Sequence, residues 1–590
     1  MIVETGLEGA VTEKDFQSRK EYELYCIRHS AAHVMAEAIL RLRPDAKFTV
    51  GPPVEDGFYY DFETESPISE EELPAIEAEM KKICKEGHSF QCEMWSRDQA
   101  ETFFVAEGQP HKLTIMSDRE LTECSIFRHS SFVDLCRGPH VDSTKKIKYF
   151  KLTSVSGAHW KEGMVQRIYG TAWQSKGELK AYLGRLEEAA RRDHRRLGKE
   201  LDLFAFFPFS PGSPCLLPKG LVLYRILQEK MRRLLASNGY EEVRAPVLCH
   251  QSLWETSGHW SKFRENMFLV EAESETSGQY GLKPMNCPIH MKIFGLKKRS
   301  YRDLPLRIHD EGILHRNEVS GSLSGMTRVR MFCQDDTHIF VAPEEIQEEI
   351  GRVLAIVDRV YRAFGLTYHL ELSTRPENYL GEQDQWDQAE SALSKALESW
   401  GKPFAINEGD GAFYGPKIDF SVEDAIGRRW QVGTAQLDFQ LPGPDRFNLR
   451  YIDEDNTPRH PVVIHQATYG SMERFLGILI ESYAGAFPVW LSPVQVRILT
   501  ISEKFSEYAQ QVHESIRSRG YRVELDLRND KIGKKIRESQ LQKIPYTLVI
   551  GAKEAEESTV AVRRYGEGDQ GAQPLASFLD KFESEANLEY

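Results

Sequence analysis

The chain has 590 residues, enough for about four domains at roughly 150 residues each. Charged residues at 28% and hydrophobic ones at 41% exclude wholesale disorder, and 42 glycines with 27 prolines exclude a low-complexity chain. The formal net charge of −14 argues against a protein coated in nucleic acid and leaves room for a local basic patch.

Nine cysteines, an odd number without a CxxC pair, read as a reducing compartment with thiols free or on metal. The start, MIVETGLEGAVTEKDFQ, has no apolar core and no arginine-rich amphipathic pattern, so a cytoplasmic location is expected. The longest apolar stretch, from Phe475, contains Glu481 and Pro488 and reads as a buried core element rather than a membrane span.

In chain order, residues 1–20 read as a short polar tail. Residues 21–177 form an α+β domain: helix YCIRHSAAHVMAEAILRL, turn GPPVEDG, charged helix EELPAIEAEMKKICKEG, then short strands. Residues 178–200 keep near-helical apolar spacing and read as a basic helical connector whose charge is mostly a solvated face. Residues 201–492 form one large α/β region with helix LVLYRILQEKMRRLLASNG, strand YEEVRAPVL and long strands near Arg330 and Gln431. Residues 493–590 alternate strand and helix, which predicts a small domain with a parallel or mixed sheet.

Three segments could carry chemistry. In LHRNEVSGSLSGMTRVRMFCQDDTHIF, Arg316 and Glu318 at i and i+2 share one strand face, and a Gly/Ser loop leads to Arg328 and Arg330 on a second strand. Guanidinium forks suit phosphate oxygens, although a surface hairpin with ordinary salt bridges fits the same pattern. In HPVVIHQATYGSMERFLGILIE a strand turns through Gly470 into a helix carrying Glu473 and Arg474, where the bland alternative is a surface ion pair. In the front domain His29 and His33 stand at i and i+4, on one helix face. Cys136 and His140 flank a Gly-Pro turn. Three histidines and a thiol could bind zinc, but HSAAH lacks the glutamate of a HExxH metalloprotease.

The strings MNCPIHM, HRNEVSGSLSGMTRVRMFCQDDTHIF, GAFYGPKIDF, RRWQVGTAQLDFQLP and VVIHQATYGSMERF resemble the class II aminoacyl-tRNA synthetases, and within them the threonyl-tRNA synthetase family. The resemblance covers nearly all of residues 21–590. It implies a multidomain α+β and α/β protein: an editing domain, a catalytic domain on an antiparallel sheet, and a small α/β anticodon-binding domain. It implies an enzyme that joins threonine to tRNA(Thr) with ATP and hydrolyses mischarged seryl-tRNA.

The same resemblance implies that Cys287, His338 and His465 bind one Zn²⁺; their spacing alone says nothing. Three protein ligands leave a position for threonine's amino group and hydroxyl, which valine cannot fill. Asp336 would meet the amine or hydroxyl. Arg316 would face the α-phosphate and Arg474 the γ-phosphate, with Glu318 and Arg328 nearby and Mg²⁺ bridging phosphates. Gln334, Tyr414, Lys417, Gln431, Gln436 and Ser471 match pocket positions. Serine differs from threonine by one methyl, worth roughly 10- to 200-fold, so a second hydrolytic site is expected. For it the family supplies His29, His33, Lys112, Asp134, Cys136 and His140, acting on a positioned water without need of metal. Asn529, Lys543, Glu554 and Arg563 match anticodon readers, with Lys543 standing where the family usually has arginine. Many relatives carry a further β-rich domain ahead of the editing domain, where about 20 residues stand here. A homodimer through the region around Pro246 is a further implication of the family. The alternative class is a non-catalytic paralogue that binds tRNA or mRNA.

Overall fold

The computed structural model describes all residues except 1, 4–10, 162, 272–277, 425–426 and 588–590, with residues 2 and 3 in backbone only. The chain divides into two compact units, Met1–Glu187 and Glu188–Tyr590.

In the first unit, Ser18 caps helix α1 (Arg19–Leu42) by accepting the Glu21 amide. Its inner face packs on an antiparallel sheet of β1 (Lys47–Phe48), β2 (Gly57–Glu63), β7 (Tyr149–Trp160) and β8 (Gly163–Trp173), and on α2 (Leu73–Glu86). The apolar side of α1 (Cys26, Ala31, Val34, Met35, Ala38) is fully enclosed in this core, together with Phe58, Tyr60 and Phe62 of β2. A second sheet joins β3 (Gln91–Ser96), β4 (Glu123–His129) and β5 (Phe132–Leu135). Between β3 and β4 lies α3 (Pro110–Asp118), with Lys112 on its buried side. The short strand β6 (His140–Val141) pairs with Ile2–Val3, so the start of the chain is not wholly the free tail its polarity suggested.

The connector expected over 178–200 is two helices. Helix α4 (Lys176–Arg192) ends at Asp193, whose side chain caps α5 (His194–Glu200) by accepting the Arg195 amide at 2.8 Å. Asp at an N-cap competes for backbone donors, which explains a break that helical spacing does not reveal.

The second unit is built on an eight-stranded sheet. Helix α6 (Pro218–Ser237) leads to β9 (Glu241–Glu242), and Cys287–Phe294 forms α7. Then follow β10 (Leu306–His315), β11 (Met331–Val341), α8 (Ile346–Ala363), β12 (Tyr368–Ser373), α9 (Gln383–Trp400), β13 (Phe404–Asn407), β14 (Lys417–Glu423), β15 (Arg429–Asp438) and β16 (Val462–Ser471). Helix α10 (Met472–Ser482) continues directly from β16. Strand order is β9-β10-β11-β16-β15-β14-β12-β13, antiparallel except at the β9/β10 and β12/β13 edges. Helices α8 and α10 bury Val353, Val357, Phe475, Leu476 and Leu479 against one face. The other face carries the polar site.

The strand expected to carry Arg316 and Glu318 ends at His315, and that expected to carry Arg328 and Arg330 starts at Met331. All four lie in the connection. The Arg316 amide still reaches Arg330 O at 2.9 Å, but Arg330 gives its own N–H to Gly212 O, which takes it off the ladder.

A separate core, with Val496, Ile498, Leu548, Ile550 and Phe578, holds the C-terminal part. Its sheet runs β18 (Val523–Asp526), β17 (Val496–Thr500), β19 (Tyr546–Ile550), β20 (Thr559–Arg564), β21 (Gly568–Pro574), parallel over the first three and antiparallel beyond. Helices α11 (Ser506–Arg517), α12 (Ile532–Leu541) and α13 (Leu575–Ala586) pack on it. This is the mixed sheet that the alternation predicts. Among the described residues no helix is long and apolar enough to cross a membrane.

Candidate functional sites

Strand register builds the first site. On β11, Gln334, Asp336 and His338 alternate onto one face, and His338 pairs directly with His465 of β16. Helix α7 brings Cys287 to the same place. One donor atom from each of Cys287, His338 and His465 lies within 4.8 Å of the others, all three buried. The rings are oriented from behind. His338 Nδ1 sits 2.8 Å from His290 Nδ1, and His465 Nε2 lies 3.0 Å from Asp438 Oδ2. That leaves His338 Nε2 buried without a hydrogen-bond partner among the described residues. A soft thiol, two imidazoles and outer groups that fix their tautomers form a donor set that could hold a metal ion with a position left open. Burial and the charges of Asp336 and Asp438 push the Cys287 thiol well up, a shift that a bound cation would reverse. Asp336 accepts the Asn286 amide at 2.9 Å, and the Tyr414 ring lies 5.2 Å from His465.

Further along the same face is a cavity of about 240 Å³. Arg316, Glu318, Arg328, Gln334, Gln431, Ser471 and Arg474 all line it. Arg316 stacks over Phe332 at 5.2 Å and Phe263 at 5.8 Å. Arg328 pairs with Glu318 at 2.8 Å. Arg474 is fixed by two carbonyls, Thr327 O at 2.8 Å and Gln431 O at 2.9 Å. Its helix begins at Ser471, whose Oγ accepts the Arg474 amide at 3.2 Å, so the positive end of α10 faces the same space. Three guanidinium groups and a helix N-terminus in one pocket suit a polyphosphate. Lys417, Gln436, Tyr414 and Asp336 do not line this cavity. Lys417 is tied to Asp419 at 2.6 Å, and Gln436 donates to Gly415 O at 2.9 Å beside His465.

Sequence reasoning passed over Asp335. It points to the opposite face from Asp336 and accepts the amides of Thr468, Tyr469 and Gly470 at 3.0, 2.9 and 2.9 Å. It thereby holds the turn that launches α10. Asn286, His290 and Asp438 were also passed over, although each stands within a few residues or one strand of a chosen ligand.

The first unit holds a second site, a cavity of about 510 Å³ lined by His29, His33, Lys112, Asp134 and Cys136. His140 lies behind it, with Nε2 at 3.2 Å from Cys136 Sγ and Nδ1 at 3.1 Å from Ser30 Oγ. Cys136 Sγ is also 3.2 Å from His29 Nε2. Lys112 Nζ meets Asp134 Oδ1 at 2.5 Å and Thr49 O at 2.7 Å. Burial lowers His29 to about 4, and His33 and His140 well below their usual value. The imidazoles are therefore neutral at physiological pH, able to accept a proton or orient a water. The four donors His29, His33, Cys136 and His140 also lie within 4.8 Å of one another, so a metal is geometrically admissible here too.

The four residues expected at the anticodon are dispersed in their contacts. Asn529 is exposed. Glu554 accepts the Gly551 amide at 2.9 Å, and Arg563 pairs with Asp569 at 2.8 Å. Lys543 gives its ammonium to the Ala484 carbonyl, just past the end of α10.

Family models match in three places: "tRNA synthetase class II core domain (G, H, P, S and T)" at residues 268–483, "Anticodon binding domain" at 495–585, and "Threonyl and Alanyl tRNA synthetase second additional domain" at 124–169. The eight-stranded, mostly antiparallel sheet with its arginine-lined cavity is thus a class II aminoacyl-tRNA synthetase core. A "Threonine--tRNA ligase" of Acetivibrio thermocellus is 50% identical over 94% of this chain and 87% of its own. One of Carboxydothermus hydrogenoformans is 49% identical over 95% and 88%. A crystal structure described as the RNA binding domain of threonyl-tRNA synthetase from Cryptosporidium parvum is 45% identical, with a TM-score of 0.64 over 67% of this chain and 98% of that one. A Giardia lamblia prolyl-tRNA synthetase at 18% identity shares the fold (TM-score 0.54, over 68% and 80%). The chain belongs to the threonyl-tRNA synthetase family.

Proposed function

We propose that the protein is a threonine–tRNA ligase that also clears its own errors. It activates threonine with ATP, transfers it to tRNA(Thr), and hydrolyses seryl-tRNA(Thr) in its first unit. The convergence of Cys287, His338 and His465 beside Asp336, on the strand face that continues into the arginine-lined cavity, carries this reading.

Activation joins threonine's carboxylate oxygen to the α-phosphorus of ATP, while the bond to the β-phosphate oxygen breaks and pyrophosphate leaves. The carboxylate is already ionised at neutral pH, so no general base is needed. Catalysis is then alignment and charge neutralisation. Arg316 holds the α-phosphate and Arg474 the γ-phosphate, with Glu318 and Arg328 setting the shape of the pocket and Mg²⁺ arriving with the nucleotide. Gln334, Gln431 and Ser471 line the nucleotide side; Asp336, Tyr414, Gln436 and Lys417 line or brace the amino-acid side. Zinc held by Cys287, His338 and His465 would supply a Lewis acid for threonine's amine and hydroxyl; valine offers the amine but no hydroxyl. The adenylate then passes its acyl group to the tRNA 3′ end.

In the editing cavity, neutral His29 and His33 orient a water towards the seryl ester. Lys112 and Asp134 brace the wall, and Cys136 with His140 closes it. Asn529, Lys543, Glu554 and Arg563 are the anticodon candidates. Pairing of two chains around Pro246 and a cytoplasmic setting complete the reading.

The decisive measurement is ATP–pyrophosphate exchange with threonine, serine and valine, with and without a chelator. Threonine should support exchange, serine weakly, valine not at all, and chelation or Cys287→Ala should remove both zinc and exchange. Arg316→Ala should abolish exchange with zinc retained. A zinc-free Cys287→Ala enzyme of full activity refutes the specificity account, and absence of exchange in the unaltered protein favours the non-catalytic alternative. His29→Ala/His33→Ala should accumulate seryl-tRNA while threonine exchange is unchanged.

A further inference from the structure

Helix α5 begins with His194, only 4% exposed and outside both cavities described above. Its two ring nitrogens are used in opposite senses. Nδ1 lies 2.7 Å from Glu481 Oε1 near the end of α10, and Nε2 lies 3.0 Å from the backbone nitrogen of Met326. A carboxylate accepts and a backbone N–H donates, so the ring is neutral with its proton on Nδ1. Asp193, Glu481 and His194 form a group that could hold a metal. Their donors are already committed, however: Asp193 to Arg195 at 2.5 Å, Glu481 to His194, and His194 to Met326. Hydrogen bonding, not metal binding, explains the cluster.

We propose that His194 is a positioning residue for activation: it clamps the 324–328 turn against α10 so that Arg474 faces the phosphate cavity. The proposal rests on reading Arg474 as an ATP ligand. Three independent features support it. Met326 is fully buried, and an N–H in such a place needs an acceptor; the imidazole is the one it has. The close approach is built into the backbone by two glycines. Gly325 has φ +49°, and a Cβ there would fall 2.2 Å from His194 Nε2. A Cβ on Gly477 of α10 would press on Met326 Cβ at 3.2 Å, with His194 Cδ2 at 3.7 Å. Finally, the residue after Met326 is Thr327, whose carbonyl receives Arg474 Nε at 2.8 Å. The imidazole thus grips α10 near its end through Glu481, and governs the arginine at its start through the turn.

The far end of α5 is anchored as well. Glu200 O accepts Gln542 Nε2 at 3.1 Å, and Ala484 O accepts the Lys543 ammonium beyond α10. The short helix is a strut between the C-terminal domain and the turn that holds Arg474.

Two substitutions separate the ring's two bonds. His194→Asn keeps an amide near Nδ1 for Glu481 and removes the acceptor for Met326; His194→Gln presents its carbonyl where Nε2 stood. Each is measured in the full-length, zinc-loaded protein by threonine-dependent pyrophosphate exchange and by amide hydrogen exchange of residues 320–330. The second readout needs no activity. His194→Asn should raise the KM for ATP about tenfold, the order of one lost hydrogen bond to a buried amide. It should leave the KM for threonine and the zinc content unchanged and accelerate exchange in 320–330. His194→Gln should restore most of both properties. Gly325→Ala, which keeps the histidine but forbids its approach, should reproduce the Asn phenotype. Unchanged ATP KM and unchanged loop protection in His194→Asn overturn the clamp, as do equal losses for ATP and threonine in both His194 variants. Faster loop exchange with an unchanged ATP KM upholds the clamp and instead overturns the placement of Arg474 on ATP.

Discussion

Lys112 carries an ammonium into a site where 3% of the residue is exposed, and Asp134 lies directly beside it. Thr49 O and the Tyr60 hydroxyl complete its coordination, and Tyr60 also donates to Asp134. Removing one partner of such a pair leaves an uncompensated buried charge, at about 3–5 kcal/mol. Asp134→Asn should therefore destabilise the first unit by that amount in urea unfolding and abolish seryl-tRNA hydrolysis. The double variant Asp134→Asn/Lys112→Met removes both charges and should recover most of the stability but none of the hydrolysis. If the single and double variants unfold alike, the pair is not the brace described here. At this scale the sequence was informative where residues sit close along the chain. His29 and His33 share a helix face, and their rings are 5.4 Å apart. It was silent on Asp335, because adjacent carboxylates on a strand look alike until the partner strand shows which one meets three amides. It was equally silent on His194, whose partners are 132 and 287 residues away.

Elements were legible when their own periodicity sufficed. Helix α1, helix α6 and the C-terminal alternation follow local spacing, and the structure forms them where the pattern lies. Elements were misread where long-range pairing ends a strand, as at Arg316 and Arg330, or where a cap interrupts helical spacing, as at Asp193. The β16–α10 junction shows what such pairing controls. Gly470 has φ +66°, and a Cβ there would lie 1.9 Å from the Val432 carbonyl oxygen of the neighbouring strand. Neither the backbone angle nor the contact can relax cheaply, because Asp335 grips the three amides of this turn. Gly470→Ala should cost about 1–3 kcal/mol for the strained backbone alone. It should also tilt the start of α10, lowering kcat/KM for ATP by at least tenfold while zinc content holds. Wild-type kinetics in this variant would show that the turn does not set Arg474.

At the scale of the whole chain, the two units differ in how protons act on them. In the first unit the resolved shifts of histidines and carboxylates point one way. Burial lowers His29 to about 4 and His33 and His140 well below their unfolded value near 6.5. Between about pH 4 and 6.5 the unfolded chain binds more protons than the folded one, so stability rises with pH through that window. The carboxylates add to this at lower pH: Arg41 and His88 hold Glu86 at about 2, and Glu37 is lowered by His129 and Arg41 against its burial, so their stabilisation is lost as pH falls below about 4.5. The second unit also buries neutral histidines, His259 at about 3 and His309 at about 4. There, however, burial raises Glu311 and Glu473 to about 7 and Asp335 to about 8. A raised carboxyl holds a proton that the unfolded chain has given up, so its contribution falls as pH rises from about 4 to 7 and opposes the histidines. On acidification from pH 7 to 5 the first unit should lose stability and the second should change less. Amide hydrogen exchange, corrected for intrinsic rates, resolves the two: protection in α1 should drop several-fold more than protection in β11. Equal loss in both would mean that the buried imidazoles of the editing cavity are not neutral in the folded protein, and with that the account of how they hold a water would fail.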